Sequence, residues 1–305
     1  MARTRYASDR GLTSRMLVTM FLLGLVYVVF VGAFFVFVPE WAVVALVGAG
    51  LFLLAQYFFS DKMTLFAMRG RIVSPREAPE LHGVIDRICA MSDAPKPKVA
   101  IADSDVPNAF ATGRNQKNAV VCVTTGLLRR LDPVELEGVL AHEMAHVAHR
   151  DVAVMTIASF LGILAGLITR FGLYAGLWGG FGSRSRDQNT GLILLAVVAA
   201  SAVAYAISFL LTRALSRYRE LSADRAAALL TGRPSALASA LTKVTGDIAR
   251  IPTRDLRSAQ AFNAFFFTPA LGRGVSVSSL FSTHPPLDKR LAQLSKISDQ
   301  LSRGV

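Results

Sequence analysis

Residues 140–149 read Leu-Ala-His-Glu-Met-Ala-His-Val-Ala-His and contain the pattern H-E-x-x-H. In a helix, His142 and His146 lie one turn apart on the same face, the spacing at which two imidazole nitrogens can bind one Zn²⁺. Glu143 follows the first histidine, where its carboxylate can take a proton from an attacking water molecule. The stretch predicts a site for one zinc ion per chain, with Glu143 as the general base.

The residues ahead of the motif are typical of a helix start. Asp132 stands in the N-cap position, Pro133 in the first helical position, and Glu135 three residues after the cap. We therefore expect a helix that begins at Pro133 and runs through the motif.

Long apolar segments indicate an integral membrane protein. With 52% hydrophobic residues and a mean hydropathy of +0.44, the chain of 305 residues is more apolar than an ordinary soluble protein. Residues 16–38 and 41–60 carry no charge, and only Pro39-Glu40 separates them. Each segment is long enough to cross about 30 Å of hydrocarbon. Region 1–60 is therefore predicted to contain a transmembrane hairpin.

A second hairpin is predicted over residues 152–212, with spans at about 152–178 and 191–212. A buried or interfacial helical pair is the alternative, because Arg170 would be costly at the centre of a helix in lipid. The remaining segments, 61–151 and 213–305, are predicted to form the two parts of one domain that contains the zinc motif.

The basic residues predict the orientation of the chain. Four arginines precede the first span, and Lys62, Arg69 and Arg71 follow the second, whereas the turn between the spans has no basic residue. The positive-inside rule therefore places both termini and the active site in the cytoplasm. The predicted fold class is an α-helical integral membrane protein with a cytoplasmic mixed α+β domain that contains the zinc motif.

The net charge of +12 favours the lipid bilayer as a partner rather than nucleic acid. The basic residues flank apolar segments and do not form a groove with interleaved aromatic residues. A basic collar at the headgroups is expected from Arg150, Arg213, Arg217 and Arg219. The isolated Cys89 and Cys122 indicate free thiols.

A hydrolytic zinc site needs a third protein ligand. Glu220 and Asp224 lie at i and i+4 of a predicted helix at 213–230, so one carboxylate could bind metal while the other supports a histidine. Two solvated acids paired with neighbouring arginines are the alternative. Two predicted spans between His142 and Glu220 return both to one side of the membrane, which favours Glu220. His149 lies about 10.5 Å along the helix from His142, too far to share an ion.

Two further segments are predicted as strands. Pro97–Ala102 and Ala119–Val123 are rich in β-branched residues and are joined through the segment that contains Asn108.

Together these motifs resemble the bacterial HtpX membrane zinc metalloproteases, members of the family that includes the type I CAAX prenyl proteases. The resemblance covers nearly the whole chain. Beyond the amino-terminal hairpin and the H-E-x-x-H motif, it includes Asn108–Gly113, Ala119–Leu128, Arg219-Glu220 with Ala223-Asp224, and Ser282–Pro286. Leu221 departs from the family, in which an aromatic residue more often follows the glutamate.

The resemblance implies a zincin-type domain with the ligands His142, His146 and Glu220. It also implies that Asn108–Gly113 supplies an edge strand for the substrate, through Asn108, Ala109, Phe110 and Ala111, and that His284 acts on the oxyanion or the substrate. An ordinary strand and turn and an ordinary loop histidine are the alternatives.

The resemblance implies an endopeptidase that hydrolyses misfolded or damaged membrane proteins at the cytoplasmic face of the bacterial inner membrane, as part of a stress response. A specific processing protease is one alternative. A non-catalytic quality-control adaptor is another, but a binding module has no need of the Glu143 carboxylate beside two ligands.

Overall fold

A computed structural model describes residues 10–37, 68–113, 115–151, 188–248 and 284–303, with isolated positions between 47 and 66 and between 154 and 169. The chain divides into two compact units. The first, the peptidase unit, comprises residues 1–15, 58–153 and 216–305, and the second, the apolar unit, comprises residues 16–57 and 154–215. The predicted division at residues 60, 151 and 212 stays a prediction, because the span boundaries lie largely outside the described residues.

A four-stranded sheet forms one layer of the peptidase unit. Its strands are β1 (Gly70–Ile72), β2 (Lys98–Ala102), β3 (Ala109–Thr112) and β4 (Val120–Thr124), in the order β1-β2-β4-β3. Strands β2 and β4 are parallel, while β1 and β3 run antiparallel to their neighbours. The two predicted strands are confirmed to within one residue at their ends, and β3 lies at an edge of the sheet.

Helices cover one face of this sheet. They are α2 (Pro79–Ser92), the short α3 (Thr125–Leu128), α4 (Pro133–Ala148), α6 (Pro234–Ile248) and α7 (Leu287–Ser302). Side chains that alternate along the strands, such as Val99 and Val121, join a core with Ile85 of α2 and Leu140 of α4. The opposite face carries a separate apolar cluster formed by Ala100, Ala102, Phe110, Val120 and Cys122.

Helix α4 begins as predicted. The Asp132 carboxylate accepts the amides of Val134 and Glu135 at 3.0 and 2.9 Å, and the Glu135 carboxylate accepts the amide of Asp132 at 3.1 Å. Glu135 also accepts bonds from Ser239 at 2.6 Å and Lys243 at 2.7 Å, both on α6. This reciprocal cap fixes the helix start, and the two added bonds attach it to a neighbouring helix.

Two helices are long and apolar enough to cross a membrane, judged by length and composition. They are α1 (Arg10–Phe37) and α5 (Gln188–Thr231), which contain the apolar windows Thr13–Phe30 and Leu195–Thr231. They coincide with the predicted spans 16–38 and 191–212. The predicted spans 41–60 and 152–178 lie mainly outside the described residues. Within the apolar unit, Leu23 of α1 packs with Ala158 and Leu215.

Helix α5 is continuous for 44 residues. It runs from the fourth apolar segment into the peptidase unit, where it carries Glu220 and Asp224. The predicted helix at 213–230 is thus the last part of a longer one.

Candidate metal centre

Three donor side chains converge in the peptidase unit. Nε2 of His142 and Nε2 of His146 are 3.1 Å apart. Oε1 of Glu220 lies 3.3 Å from Nε2 of His146, and Oε2 of Glu220 lies 3.7 Å from Nε2 of His142. Four-coordinate zinc with bonds of 2.0–2.1 Å requires donor atoms separated by about 3.3 Å. The separations of 3.1 and 3.3 Å are close to this value, so the three side chains could hold one metal ion.

A carboxylate faces the Nδ1 atom of each of these two histidines. Nδ1 of His142 lies 2.9 Å from Oδ1 of Asp224, and Nδ1 of His146 lies 2.5 Å from Oδ2 of Asp151. Each contact orients an imidazole so that its Nε2 points at the shared space. Asp224 has the supporting position that the sequence predicted, whereas Asp151 was not predicted.

An arginine stands behind each of these carboxylates. Arg290 of α7 donates to both oxygens of Asp224, at 2.6 and 2.7 Å, and Arg219 donates to Oδ2 of Asp151 at 2.6 Å. Both pairs are buried. The alternative in which Asp224 is a solvated acid paired with a neighbouring arginine is wrong, because its partner comes from another helix and the pair excludes water.

Arg219 corrects a second expectation. Its side chain is 9% exposed and bound to Asp151, so it does not belong to a basic collar at the lipid headgroups. A buried carboxylate is costly without a partner of opposite charge, and this requirement holds the guanidinium inside.

Glu143 lies between the ligand helix and the edge strand. Its Oε2 accepts the backbone amide of Ala111 at 2.9 Å. Because ladder bonds alternate along an antiparallel strand, the backbone groups of Ala109 and Ala111 point away from β4. The side of β3 that pairs with no other described strand therefore faces Glu143.

The other predicted substrate residues differ in their surroundings. Asn108 is buried, and its backbone amide and carbonyl are both bonded to Thr124. The side chain of Phe110 belongs to the apolar cluster on the opposite face of the sheet. Because alternate residues of a strand point to opposite faces, any contact of Phe110 with substrate would be made by its backbone, and that contact stays a prediction.

His284 is at the site and not in a remote loop. Its Nδ1 lies 2.9 Å from Oε2 of Glu220, and only 4% of the residue is exposed. The alternative of an ordinary loop histidine is wrong. His82, in contrast, is buried against the carbonyl of Val73, 3.1 Å from its Nε2, away from this site.

The charges of the cluster favour a divalent cation. Among the described residues, the carboxylates of Glu143, Asp151, Glu220 and Asp224 outnumber the guanidinium groups of Arg219 and Arg290 by two. Two added positive charges would bring the cluster to neutrality, with both imidazoles neutral. Buried charge is tolerated only when it is compensated in this way.

The pKa values of Glu143 and His146 are both shifted in this cluster. Burial raises the pKa of Glu143 to about 7. Burial alone would lower the pKa of His146, but hydrogen bonds to Asp151 and Glu220 raise it to about 10. The shift of His146 has the direction expected when a positive charge compensates the neighbouring carboxylates, a role that a bound cation would take over.

Comparison with known proteins agrees with this geometry. Residues 75–298 match the family described as peptidase family M48. The chain belongs to this family. The protease HtpX homolog 1 of Streptomyces coelicolor is 64% identical over 302 residues, covering 99% of this chain and 98% of the relative. A protease HtpX homolog of Moorella thermoacetica is 51% identical over 301 residues, covering 98% of each chain.

A solved structure supports the fold. The crystal structure of S. mikatae Ste24p matches with a TM-score of 0.52 at 17% identity, over 94% of this chain and 67% of that chain. The chain is therefore an M48 membrane metalloprotease of the HtpX type, with polypeptide substrates and a zincin-type peptidase fold. The resemblance deduced from the motifs is confirmed at the level of the family.

Asp151 and Arg290 are the residues of the M48 site that sequence reasoning missed. Asp151 follows the second histidine by five residues, a spacing that does not share a helix face with it. Arg290 lies 66 residues from its partner Asp224. The available signal for Asp151 was an acidic residue directly after a helix end that carries two candidate ligands.

Proposed function

We propose that the chain is a zinc endopeptidase that cleaves cytoplasmic segments of misfolded or damaged membrane proteins. The observation that carries this proposal is the spacing of His142, His146 and Glu220, whose donor atoms all lie within 4.8 Å of one another. Two imidazoles and one carboxylate form a donor set that zinc hydrolases use, with a fourth position left for water or substrate. When bound, zinc would act as a Lewis acid on the scissile carbonyl and would acidify a water molecule.

Glu143 acts as the general base in this mechanism. Its carboxylate accepts a proton from the attacking water and delivers it to the amine that leaves when the peptide bond breaks. The hydrogen bond from the Ala111 amide holds the carboxylate in place at 2.9 Å.

Strand β3 binds the substrate backbone in an extended conformation. The outward backbone groups of Ala109 and the outward carbonyl of Ala111 support this assignment, because an added strand pairs with such groups on a sheet edge, whereas the Ala111 amide is bonded to Glu143. Main-chain pairing is independent of side-chain identity, which suits an enzyme that degrades many damaged proteins. It suits a specific processing protease less well.

The active site faces the cytoplasm at the bacterial inner membrane, with the chain crossing the bilayer several times. Arginines at the amino terminus and the basic residues after the second apolar segment support this orientation. The apolar windows of α1 and α5 support membrane insertion.

Two substitutions test the metal and the base separately. Glu143→Gln should retain zinc and lose casein cleavage by at least 10²–10⁴-fold, because only proton transfer is removed. Glu220→Ala should lower both zinc content and cleavage. Metal analysis of detergent-purified protein provides the first measurement. Cleavage at the wild-type rate by Glu143→Gln would rule out the assigned base, and full zinc content in Glu220→Ala would rule out the assigned ligand.

Cysteine labelling in intact cells tests the orientation. Starting from a variant with Cys89 and Cys122 replaced by alanine, single cysteines are introduced at the exposed positions Lys117 and Ser302 and at Ser185, between the third and fourth apolar segments. An impermeant maleimide should label only the cysteine at position 185. Labelling at position 117 from outside would invert the proposed topology.

A further inference from the structure

We propose that Asp151 and Arg219 form a positioning pair that holds the ring of His146 in the orientation required for metal binding. The inference rests on the proposed zinc function. It assigns a role to two residues outside the H-E-x-x-H motif and outside the third-ligand position.

The contacts form a short chain of hydrogen bonds. Oδ2 of Asp151 lies 2.5 Å from Nδ1 of His146, and the same oxygen lies 2.6 Å from Nη2 of Arg219. Asp151 is 2% exposed and Arg219 is 8% exposed. In such surroundings the carboxylate cannot exchange these partners for water, so both bonds fix the imidazole ring.

The backbone makes this contact feasible. On a continuing helix, residue 151 would lie about 140° around the axis from His146 and could not reach its ring. Helix α4 instead ends at Ala148, and Arg150 has a φ of 56°, in the left-handed region. The reversal at Arg150 brings the carboxylate of Asp151 back to the histidine.

Arg219 adds a connection to the third ligand. It is the residue before Glu220, whose Oε1 lies 3.3 Å from Nε2 of His146. The same segment of α5 therefore faces both nitrogens of the imidazole: Glu220 directly, and Arg219 through Asp151. Rotation of the ring would break contacts on both sides.

His142, the other histidine of the motif, has a comparable arrangement. His142 faces Asp224, which receives two bonds from Arg290. Each ligand histidine thus has its own carboxylate and its own arginine. Loss of the carboxylate behind a ligand histidine is expected to weaken metal binding about 10–100-fold.

The test compares zinc affinity in full-length protein in detergent, by competition with a chromogenic chelator. Asp151→Asn keeps the shape of the side chain and removes its charge, and Arg219→Gln removes the charge behind it. We expect the Kd for zinc to rise about 10–100-fold in Asp151→Asn and by a smaller factor in Arg219→Gln. Arg219→Lys should recover part of the loss. The visible spectrum of the Co²⁺ form should change in Asp151→Asn, because the ligand field reports the orientation of the imidazole.

Asp247→Asn is the matched control, since Asp247 also pairs with an arginine, Arg130 at 3.0 Å, away from the site. It should leave the zinc Kd and the Co²⁺ spectrum unchanged. Wild-type affinity and spectrum in Asp151→Asn would overturn the positioning role. If Asp151→Asn does not fold, unchanged affinity in both Arg219 variants would overturn it. If Glu220→Ala also binds zinc normally, the proposed metal site itself has failed and not the pair alone.

Discussion

His284 and Glu220 lie 64 residues apart in the chain, yet Nδ1 of His284 is 2.9 Å from Oε2 of Glu220. The other oxygen of the same carboxylate, Oε1, faces Nε2 of His146 at 3.3 Å. The two oxygens thus have different partners. We therefore expect His284 to fix the rotation of the carboxylate and so to determine which oxygen faces the proposed metal ion.

Replacement of His284 by alanine should weaken metal retention. Without its hydrogen-bond partner, the buried Glu220 carboxylate loses its fixed orientation, and we expect about 10–100-fold weaker zinc binding and a parallel loss of cleavage. Zinc content after dialysis against graded chelator concentrations measures the effect. His284→Gln, which keeps a donor, should retain more zinc than His284→Ala. Equal retention by the wild type and both variants would contradict the role.

Loss of the Glu135 charge should destabilise the peptidase unit. The carboxylate caps α4 and binds Ser239 and Lys243 of α6, so Glu135→Gln should cost about 1–3 kcal/mol. Thermal unfolding in detergent at pH 7 should show a lower Tm. Glu80→Gln, in the exposed first turn of α2, is the control and should leave the Tm nearly unchanged.

The effect of Glu135→Gln on the Tm should depend on pH. Burial alone would raise the pKa of Glu135, but hydrogen bonds from Lys243, Ser239 and the Asp132 amide outweigh it and lower the pKa below 4.5. A lowered pKa contributes stability above the usual value that is lost as the pH falls through the folded value. The Tm difference between wild type and Glu135→Gln should therefore be constant above about pH 5.5 and shrink below pH 4.5. A difference that grows in acid would have the wrong sign.

The two thiols should differ in reactivity. Burial raises the pKa of Cys122 to about 12 and also raises that of the half-buried Cys89. Since the thiolate is the reactive form, native protein at pH 8 should take up one alkyl group slowly, at Cys89, and a second only after denaturation. Mass spectrometry of the alkylated chain counts the groups. Rapid modification of Cys122 in the native protein would mean that the second face of the sheet is open.

Gly113 should be intolerant of a side chain. Its φ is 134°, and a Cβ there would lie 2.6 Å from the carbonyl oxygen of Asn118. Gly113→Ala should therefore lower the Tm and weaken cleavage, because it displaces the end of β3. Gly232→Ala is the matched control: its φ of 66° carries a conformational cost, but no atom lies within 4 Å of the added Cβ. We expect a cost of about 1 kcal/mol for the control and more for Gly113→Ala. Equal Tm losses would show that the close contact is relieved.

The parts of this structure that sequence reasoning anticipated depend on short-range signals. The cap at Asp132, the i, i+4 histidines and the β-branched strands each lie within a few residues of one another. The parts it missed depend on tertiary packing. Arg290 contacts Asp224 only when α7 packs into the core. Asp151 contacts His146 only because the chain makes a left-handed turn at Arg150. Neither partner has a local pattern that distinguishes it from a surface charge.

Residues of the metal centre come from three separate stretches of the chain, at 142–151, 219–224 and 284–290. Protein synthesis delivers these stretches in order. A nascent chain that has emerged only through the first stretch has two histidines and a general base, but it lacks the glutamate and the arginine behind Asp151. Assembly of the ligand set therefore waits for the second stretch, and its final orientation waits for the third. We therefore expect a nascent chain that ends before the second stretch to be unable to cleave polypeptides, including itself.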